Sequence, residues 1–273
     1  MKQTSLPRGA CDCHVHIYEN QFPIAASATF QPPEGPLSAY QQVQAELGLE
    51  RVVIVQATAY GFDNSCMLEA LGKLVDSARG IAIVRPDTPD SELERLHAAG
   101  VRGVRYMTIP NSGGLASWET MEAMSARIAP LGWAINLQMD GRDFPQRQAV
   151  IDRLTSKVVI DHNGKFLEPV APDDPAFMAL LRLLEREGRW IKLSAPYETS
   201  KVGPPGYDDV SALSRALVRA HPDRCLWASN WPHPNRVPLP SNAALLELLS
   251  DWAPDAVTRQ AILVDNPALA FGF

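Results

Sequence analysis

Two histidines, His14 and His16, lie two residues apart in the segment CDCHVHIY. Side chains at positions i and i+2 of a strand share a face, so both imidazoles are expected to point the same way, with Asp12 one layer deeper. Buried imidazoles need a metal ion, each other or a substrate oxygen as a partner. His162 follows another apolar run, KVVID, which brings the histidines at predicted strand ends to three.

Arg105 lies within a third apolar segment, and Asn230 follows a fourth, CLWAS. A buried arginine requires an anionic partner, so Arg105 is predicted to bind a substrate carboxylate or carbonyl, or to pair with an internal acid such as Asp161. An amide cannot deprotonate water, and it is a weaker metal ligand than a carboxylate. The residues therefore indicate chemistry in which histidines act without a carboxylate base at position 230.

These residues belong to short apolar runs that alternate with helical patterns along the chain. The predicted strands are residues 11–18, 52–56, 80–86, 101–108, 133–139, 157–162, 189–195 and 225–231. The predicted helices are residues 38–49, 67–78, 91–100, 118–132, 143–154, 174–188, about 210–220, 242–251 and 257–270. Eight buried strands separated by helices predict parallel strands with right-handed crossovers.

This count of strands favours a (β/α)8 barrel formed as one domain over residues 1–273. An open doubly wound sheet is the alternative, but no Gly-x-Gly-x-x-Gly follows the first strand. Function in such a barrel lies where strands end. That rule adds a set of polar candidates for substrate binding: Gln56, Tyr106, Gln138, Asn163, Lys165, Tyr197 and His233.

Composition excludes several other classes of protein. The net charge of −6 over 273 residues, with no basic block, argues against nucleic-acid binding. No run of 18 apolar residues and no apolar signal core are present, so no membrane span is predicted and a cytoplasmic location is the default. The four cysteines, Cys11, Cys13, Cys66 and Cys225, are expected to be buried reduced thiols.

Several motifs occur in an order that is similar to a known family. They are Asp-x-His-x-His in GACDCHVHIY, then VVIVQATAYGFDNS, GVRY, VVIDHNGK and LWASNWPHP. From about Gly9 to the C-terminus, the sequence resembles the amidohydrolase superfamily, and within it the branch of pyrone-dicarboxylate and sugar lactonases. The resemblance implies a distorted (β/α)8 barrel that opens the ester bonds of small lactones.

The resemblance also implies roles for individual residues. In metal-dependent relatives the histidines bind zinc and a strand-eight aspartate is the general base, whereas metal-independent relatives use the histidines to polarise the lactone carbonyl. His14, His16 and His162 match those histidines. Asn230 occupies the position at which the strand-eight aspartate is expected. No cofactor is therefore expected; zinc is disfavoured by Asn230, and His14, His16 and His162 would be its ligands if it bound.

The sequence departs from the lactonase pattern at basic positions. Arg105 matches one carboxylate-binding arginine, but Asn111, Lys165 and Glu198 stand near where other arginines are expected. A small sugar-acid lactone with fewer charges is therefore the expected substrate, rather than a flat dicarboxylate.

Three functions remain open from the residues and the resemblance. A metal-independent lactone hydrolase comes first. A lactone isomerase, in which a substrate hydroxyl attacks and converts a 1,5-lactone to a 1,4-lactone, is the close alternative that Asn230 favours. A barrel that binds a sugar acid without catalysis is third. The oligomeric state stays open.

Overall fold

Eight parallel strands form one sheet in which each strand pairs with its neighbours in chain order. The computed structural model describes residues 6–110 and 113–273. The strands are β1 (Cys11–Val15), β2 (Arg51–Val55), β3 (Ala78–Ala82), β4 (Val101–Met107), β5 (Ala134–Gln138), β6 (Lys157–Ile160), β7 (Arg189–Leu193) and β8 (Cys225–Trp227). This order confirms the predicted (β/α)8 barrel and shows that the doubly wound alternative is wrong.

Helices connect successive strands and cover the outside of the barrel. They are α1 (Leu37–Leu47), α2 (Ser65–Leu74), α3 (Asp90–Ala98), α4 (Trp118–Ile128), α5 (Phe144–Arg153), α6 (Pro175–Leu184), α7 (Asp208–Ala220), α8 (Asn242–Trp252), α9 (Ala256–Gln260) and α10 (Asn266–Phe271). Short 3-10 turns follow several strands, and a π-helical segment joins α9 to α10. Among the described residues, no helix is long and apolar enough to cross a membrane.

The barrel closes through backbone contacts between β1 and the segment after β8. The His16 N–H donates to the carbonyl of Trp231 at 2.8 Å, and the Asn230 N–H donates to the carbonyl of His14 at 3.0 Å. An isolated bridge pairs Val15 with Trp231. Closure therefore places the first and last predicted site segments side by side.

Apolar side chains fill the barrel below the site. Cys11, Cys13, Val53, Val55, Ile81, Ala134, Val159, Trp190, Leu226 and Ala228 form this inner cluster. A second and larger cluster lies between the strands and the helices. The four cysteines are free and buried, which confirms the prediction for them. Because the barrel interior below the site is apolar, the polar side chains of the site lie at the carboxyl ends of the strands.

Several strands end earlier than predicted. The last was expected to run to residue 231, but β8 ends at Trp227, and Asn230 has a positive φ of 61°. The third ends at Ala82, because the Ile83 N–H donates to the Asn64 side chain at 3.0 Å instead of to a neighbouring strand. In both cases the apolar pattern continues into the loop that builds the barrel mouth.

Gly103 in β4 lets this strand approach β5 closely. A Cβ at this position would lie 2.6 Å from the Ala134 carbonyl oxygen and 2.8 Å from Ile81 Cδ1. We expect Gly103→Ala to lower the free energy of unfolding by about 1–3 kcal/mol, because the backbone must move. Chemical denaturation measures this loss, with Gly72→Ala in α2 as the control. A Cβ at Gly72 would meet nothing within 4 Å, so this change should raise the free energy of unfolding by about 0.5–1 kcal/mol. Equal effects of the two changes would contradict the packing argument.

Candidate active site

The strand that carries His14 and His16 is not regular. Its pairing with β2 shifts by one residue between Asp12 and Val15, and the His14 N–H donates to the Asp12 carboxylate at 3.2 Å. That carboxylate also accepts from Ser229 Oγ at 2.5 Å and from the Tyr40 hydroxyl of α1 at 3.4 Å. Asp12 therefore points toward the helices, and its expected place beneath the histidines is wrong because the bulge breaks the strand alternation.

The three histidines meet at the top of the barrel. Nε2 of His14 lies 3.2 Å from Nε2 of His16, and the ring centres of His14 and His162 are 4.9 Å apart. Nδ1 of His16 is 2.8 Å from the Val55 carbonyl oxygen, and Nδ1 of His162 is 2.8 Å from Ser194 Oγ. The histidines from the ends of two strands are thus in mutual contact.

A fully buried lysine from β7 lies beneath this cluster. Nζ of Lys192 donates to Asn136 Oδ1 at 2.6 Å and lies 3.0 Å from His14 Nδ1. It also forms an ion pair at 3.0 Å with Asp161 Oδ1, whose other oxygen accepts from Asn136 Nδ2 at 2.8 Å. Lys192 was not among the predicted site residues, although a lysine inside the apolar strand RWIKL was the available signal.

The surroundings keep these imidazoles neutral. Burial, followed by the Lys192 ammonium, lowers the pKa of His14 well below its usual range. Burial and Arg105 lower the pKa of His16 to about 3, and burial lowers the pKa of His162 well below its usual range. At neutral pH each ring has one N–H and one lone pair.

Above the histidines lies a cavity of about 370 Å³. Six of the twelve predicted site residues line it: His16, Arg105, Gln138, His162, Lys165 and Asn230. Its wall also includes Glu198, and Thr29 and Phe30 from the segment between β1 and α1. That segment therefore folds over the mouth of the barrel. His14 is 0% exposed and does not line the cavity, so the structure places it behind His16.

Arg105 lies in the cavity wall, where its guanidinium group donates hydrogen bonds to two carbonyl oxygens. Its Nη1 donates to the Gln56 carbonyl at 2.8 Å, and Nη2 donates to Gln138 Oε1 at 3.3 Å. Its Nε has no hydrogen-bond partner among residues 6–110 and 113–273. The alternative of an ion pair with Asp161 is wrong, since that carboxylate pairs with Lys192. Within the described part of the chain, no acidic side chain therefore pairs directly with the positive charge of Arg105.

Asn230 is oriented through its amide nitrogen. Nδ2 donates to the Tyr197 hydroxyl at 2.9 Å and to Glu198 Oε1 at 3.1 Å. Both amide hydrogens are thus engaged, which leaves Oδ1 as an acceptor at the cavity. Lys165 forms an ion pair with the same Glu198 carboxylate. Both loop charges were expected near the site, but their pairing with each other was not predicted.

Tyr197 and His233 support Asn230 from outside the cavity wall. The Tyr197 hydroxyl accepts from Asn230 and lies 2.8 Å from His233 Nδ1, so its own proton points to that nitrogen. Nε2 of His233 lies 2.8 Å from Asn242 Oδ1. With both ring nitrogens bonded, His233 has no free position for a substrate.

Three predicted substrate-binding residues direct their side chains elsewhere. The Tyr106 hydroxyl contacts Thr120 Oγ1 of α4 at 3.3 Å, because neighbours along a strand face opposite sides and Arg105 takes the inner one. Gln56 Nε2 donates to the Asp63 carbonyl at 2.7 Å. These two residues are therefore corrections to the predicted contact set.

Asn163 is the third of these residues. Its Nδ2 donates to the Ser194 carbonyl at 2.8 Å, and its Oδ1 accepts from Ser214 Oγ of α7 at 3.0 Å. The side chain thus joins the turn after β6 to a helix and does not line the cavity. Asn111, the remaining position at which an arginine was expected, lies outside the described residues.

Comparison with known proteins places this barrel in a family. Residues 11–273 match the family described as amidohydrolase. The chain belongs to the amidohydrolase family. A D-galactarolactone isomerase of Agrobacterium fabrum is 33% identical over 98% of this chain and 92% of its own length. A 2-pyrone-4,6-dicarboxylate hydrolase of Comamonas testosteroni is 34% identical over 97% of this chain and 90% of its own.

A solved relative shows the same architecture. The apo crystal structure of an Agrobacterium tumefaciens protein superposes with a TM-score of 0.92 and 33% identity, and covers 98% of this amidohydrolase and 97% of the relative. The predicted family is thereby confirmed over nearly the whole chain.

The donor set of this amidohydrolase does not fit a metal ion as it is arranged. Ligand atoms of His14, Asp161 and His162 lie within 4.8 Å of one another. However, the Lys192 ammonium lies 3.0 Å from both His14 Nδ1 and Asp161 Oδ1. A second cation at the same atoms would meet strong repulsion in this buried setting. His16, the other histidine expected to bind zinc, contacts the Val55 carbonyl through Nδ1. Its Nε2 lies 3.2 Å from His14 Nε2, and a metal ion would have to replace that contact.

Proposed function

We propose that this amidohydrolase hydrolyses the ester bond of a small lactone without a metal ion. Support comes from one arrangement: neutral His16 and His162, the unneutralised Arg105 and the amide oxygen of Asn230 all border the same cavity. Relatives named as lactone-acting enzymes support the substrate class. An acceptor that can orient a water molecule, a proton acceptor and an electrostatic partner for the carbonyl are thus available together.

In the proposed reaction, Asn230 Oδ1 accepts a hydrogen bond from water and orients its oxygen toward the lactone carbonyl carbon. Nε2 of His162 has no protein partner among the described residues and takes the water proton as the C–O bond forms. The guanidinium of Arg105 stabilises the oxyanion. The ring C–O bond then breaks, and the leaving oxygen takes the proton from His162, which yields a hydroxy acid.

The charges in the cavity wall indicate the kind of lactone. Arg105 is positive, whereas Lys165 pairs with the Glu198 carboxylate, and burial lowers the pKa of this lysine to about 7. A net charge of no more than plus one matches a substrate with a single carboxylate or a developing oxyanion. Hydrogen-bonding groups such as Gln138 and Asn230 suit sugar hydroxyls. We therefore propose a sugar-acid lactone and not a dicarboxylate.

Isomerisation of the lactone is the second candidate, and Asn230 is the observation that favours it. Loss of a carboxylate base removes about 10²- to 10⁴-fold from hydrolysis. A hydroxyl of the substrate itself can reach effective molarities of about 10⁵ M or more, which offsets that loss. The histidine would then return its proton to the ring oxygen, and no water would be consumed.

Product analysis distinguishes these functions. The metal-stripped enzyme is incubated with a panel of sugar-acid δ-lactones, and NMR follows the products. Ring-opened acid supports hydrolysis, whereas γ-lactone without early acid supports isomerisation. Binding without turnover of any lactone would favour a sugar-acid-binding barrel, and activity that is lost on chelation and restored by zinc would contradict the metal-free proposal.

Replacing Asn230 with aspartate is expected to raise the ratio of hydrolysis to isomerisation by about 10-fold or more, because a carboxylate can accept a proton from water. Measurement of acid and γ-lactone in the same NMR time course checks this. Tyr197→Phe is the matched control, since it loosens the amide without adding a base. An unchanged product ratio in Asn230→Asp would count against the proposed role of the amide.

A further inference from the structure

The hydrogen bonds of His16 determine which of its nitrogens carries the proton. Nδ1 lies 2.8 Å from the Val55 carbonyl oxygen, which can only accept, so the N–H is on Nδ1. Nε2 of this neutral ring is therefore a lone pair. Its contact at 3.2 Å with His14 Nε2 then requires the proton to be on that His14 nitrogen. This leaves a lone pair on Nδ1 of His14.

Lys192 lies at the other end of this series of hydrogen bonds, and its contact with His14 bears on the same tautomer. Lys192 Nζ lies 3.0 Å from His14 Nδ1 and can only donate. Asp161 Oδ1 can only accept and lies farther from the same nitrogen, at 3.3 Å, so the nearer contact favours a lone pair on Nδ1. Asn136 supports the orientation, because its Nδ2 donates to Asp161 and its Oδ1 accepts from Lys192. The Val55 carbonyl of β2 thus determines the tautomer of His14 through His16, and the closer of the two contacts of His14 Nδ1, the one with Lys192 of β7, agrees with it.

The position of the ammonium group carries a second consequence. Lys192 Nζ lies 3.0 Å from Asp161 Oδ1 and is 0% exposed, as is the carboxylate. Its three neighbours offer one imidazole nitrogen, one carboxylate oxygen and one amide oxygen, a donor set that also suits a divalent cation. The lysine charge balances that of Asp161 beside atoms that could themselves ligate a metal ion.

We infer that Lys192 is a cation built into the barrel at the place of a metal ion, and that it sets the tautomers of His14 and His16. Lys192 is a positioning residue: it donates to His14, His14 donates to His16, and His16 presents a lone pair and no N–H at Nε2. Proton positions and cation binding are properties of the protein without substrate, so neither depends on the proposed lactone chemistry.

The tautomers are measured directly in the unmodified protein. The histidines are labelled with ¹⁵N and assigned by replacing one histidine at a time, and nitrogen shifts report which nitrogen is protonated. The expected result at neutral pH is a proton on Nε2 of His14 and on Nδ1 of His16. The opposite tautomer of either ring, or a doubly protonated ring, would overturn the inference.

Zinc binding tests the role of the charge. Calorimetric titration with Zn²⁺ alone is expected to show at least about 10-fold tighter binding to Lys192→Met than to the wild-type protein, because the competing cation is gone. Addition of His14→Ala to Lys192→Met should remove that gain. Lys157→Met, whose amine contacts carbonyls near the C-terminus, is the control and should behave as wild type.

Two results of the zinc titration would contradict the proposed role of Lys192. Equal zinc affinity of wild type and Lys192→Met, or a gain that survives His14→Ala, would contradict the assignment of Lys192 to the metal position. Recovery of a folded Lys192→Met by zinc but not by magnesium would support it. If the variant stays unfolded with either ion, the wild-type tautomers decide the question by themselves.

Discussion

Replacement of His162 with asparagine is expected to lower kcat/KM for the lactone substrate by about 10²- to 10⁴-fold, the usual contribution of a positioned proton acceptor. Asparagine suits this position because His162 has a positive φ of 52°, which asparagine tolerates better than most residues. The loss should therefore come from the missing imidazole and not from the backbone. Steady-state kinetics on the best lactone of the panel checks it.

His233 provides a matched control for this change. It also has a positive φ, of 61°, and is buried, but both of its nitrogens contact Tyr197 and Asn242 and it does not line the cavity. His233→Asn should therefore cost about 10-fold or less, through looser orientation of Asn230. Similar losses in both variants would show that His162 acts on the structure of the loops and not on the proton.

The Lys192→Met variant is expected to lose about 3–5 kcal/mol of unfolding free energy, because it leaves the Asp161 carboxylate buried without its cation. In the folded protein, burial alone would raise the pKa of Asp161, but the Lys192 ammonium outweighs it and holds the pKa well below its usual range. The carboxylate is therefore ionised. Chemical denaturation at neutral pH measures the loss.

A second substitution separates charge from packing. Asp161→Asn keeps an oxygen that can accept from Asn136 and removes the unpaired charge, so Lys192→Met/Asp161→Asn should be more stable than Lys192→Met alone. As a control, Lys73→Met breaks the ion pair with Glu69, whose side chains are 55% and 42% exposed, and should change stability by about 0.5 kcal/mol or less. A double variant no more stable than Lys192→Met would contradict the charge argument.

The barrel was predictable because it follows from local patterns. Continuous apolar runs such as VVIV in β2 predict strands buried on both faces, and the helical periods between them require parallel pairing. The ordered motifs from His14 to Asn230 predicted the family correctly. Strand ends were less predictable, because the apolar pattern of β8 continues beyond Trp227 into residues whose backbone has left the sheet.

The site was predicted in part, and the errors share a cause. The rule that polar residues at strand ends are functional selected Arg105 and Gln138, and the structure places both in the cavity wall. It also selected Tyr106, which faces α4, and His14, which lies behind His16. The rule ignores the direction of each side chain, and that direction depends on alternation and on the bulge after Asp12.

By itself, the sequence determined the number and order of strands, the family, and the presence of an amide where a carboxylate base would be expected. These follow from residue types and spacing along the chain. Only the tertiary structure decided that Lys192 pairs with Asp161 beneath the histidines, and that Glu198 neutralises Lys165 beside Asn230. Such pairs join residues that are far apart in the chain, and whether a charge is neutralised depends on which side chains the closed barrel brings within hydrogen-bonding distance.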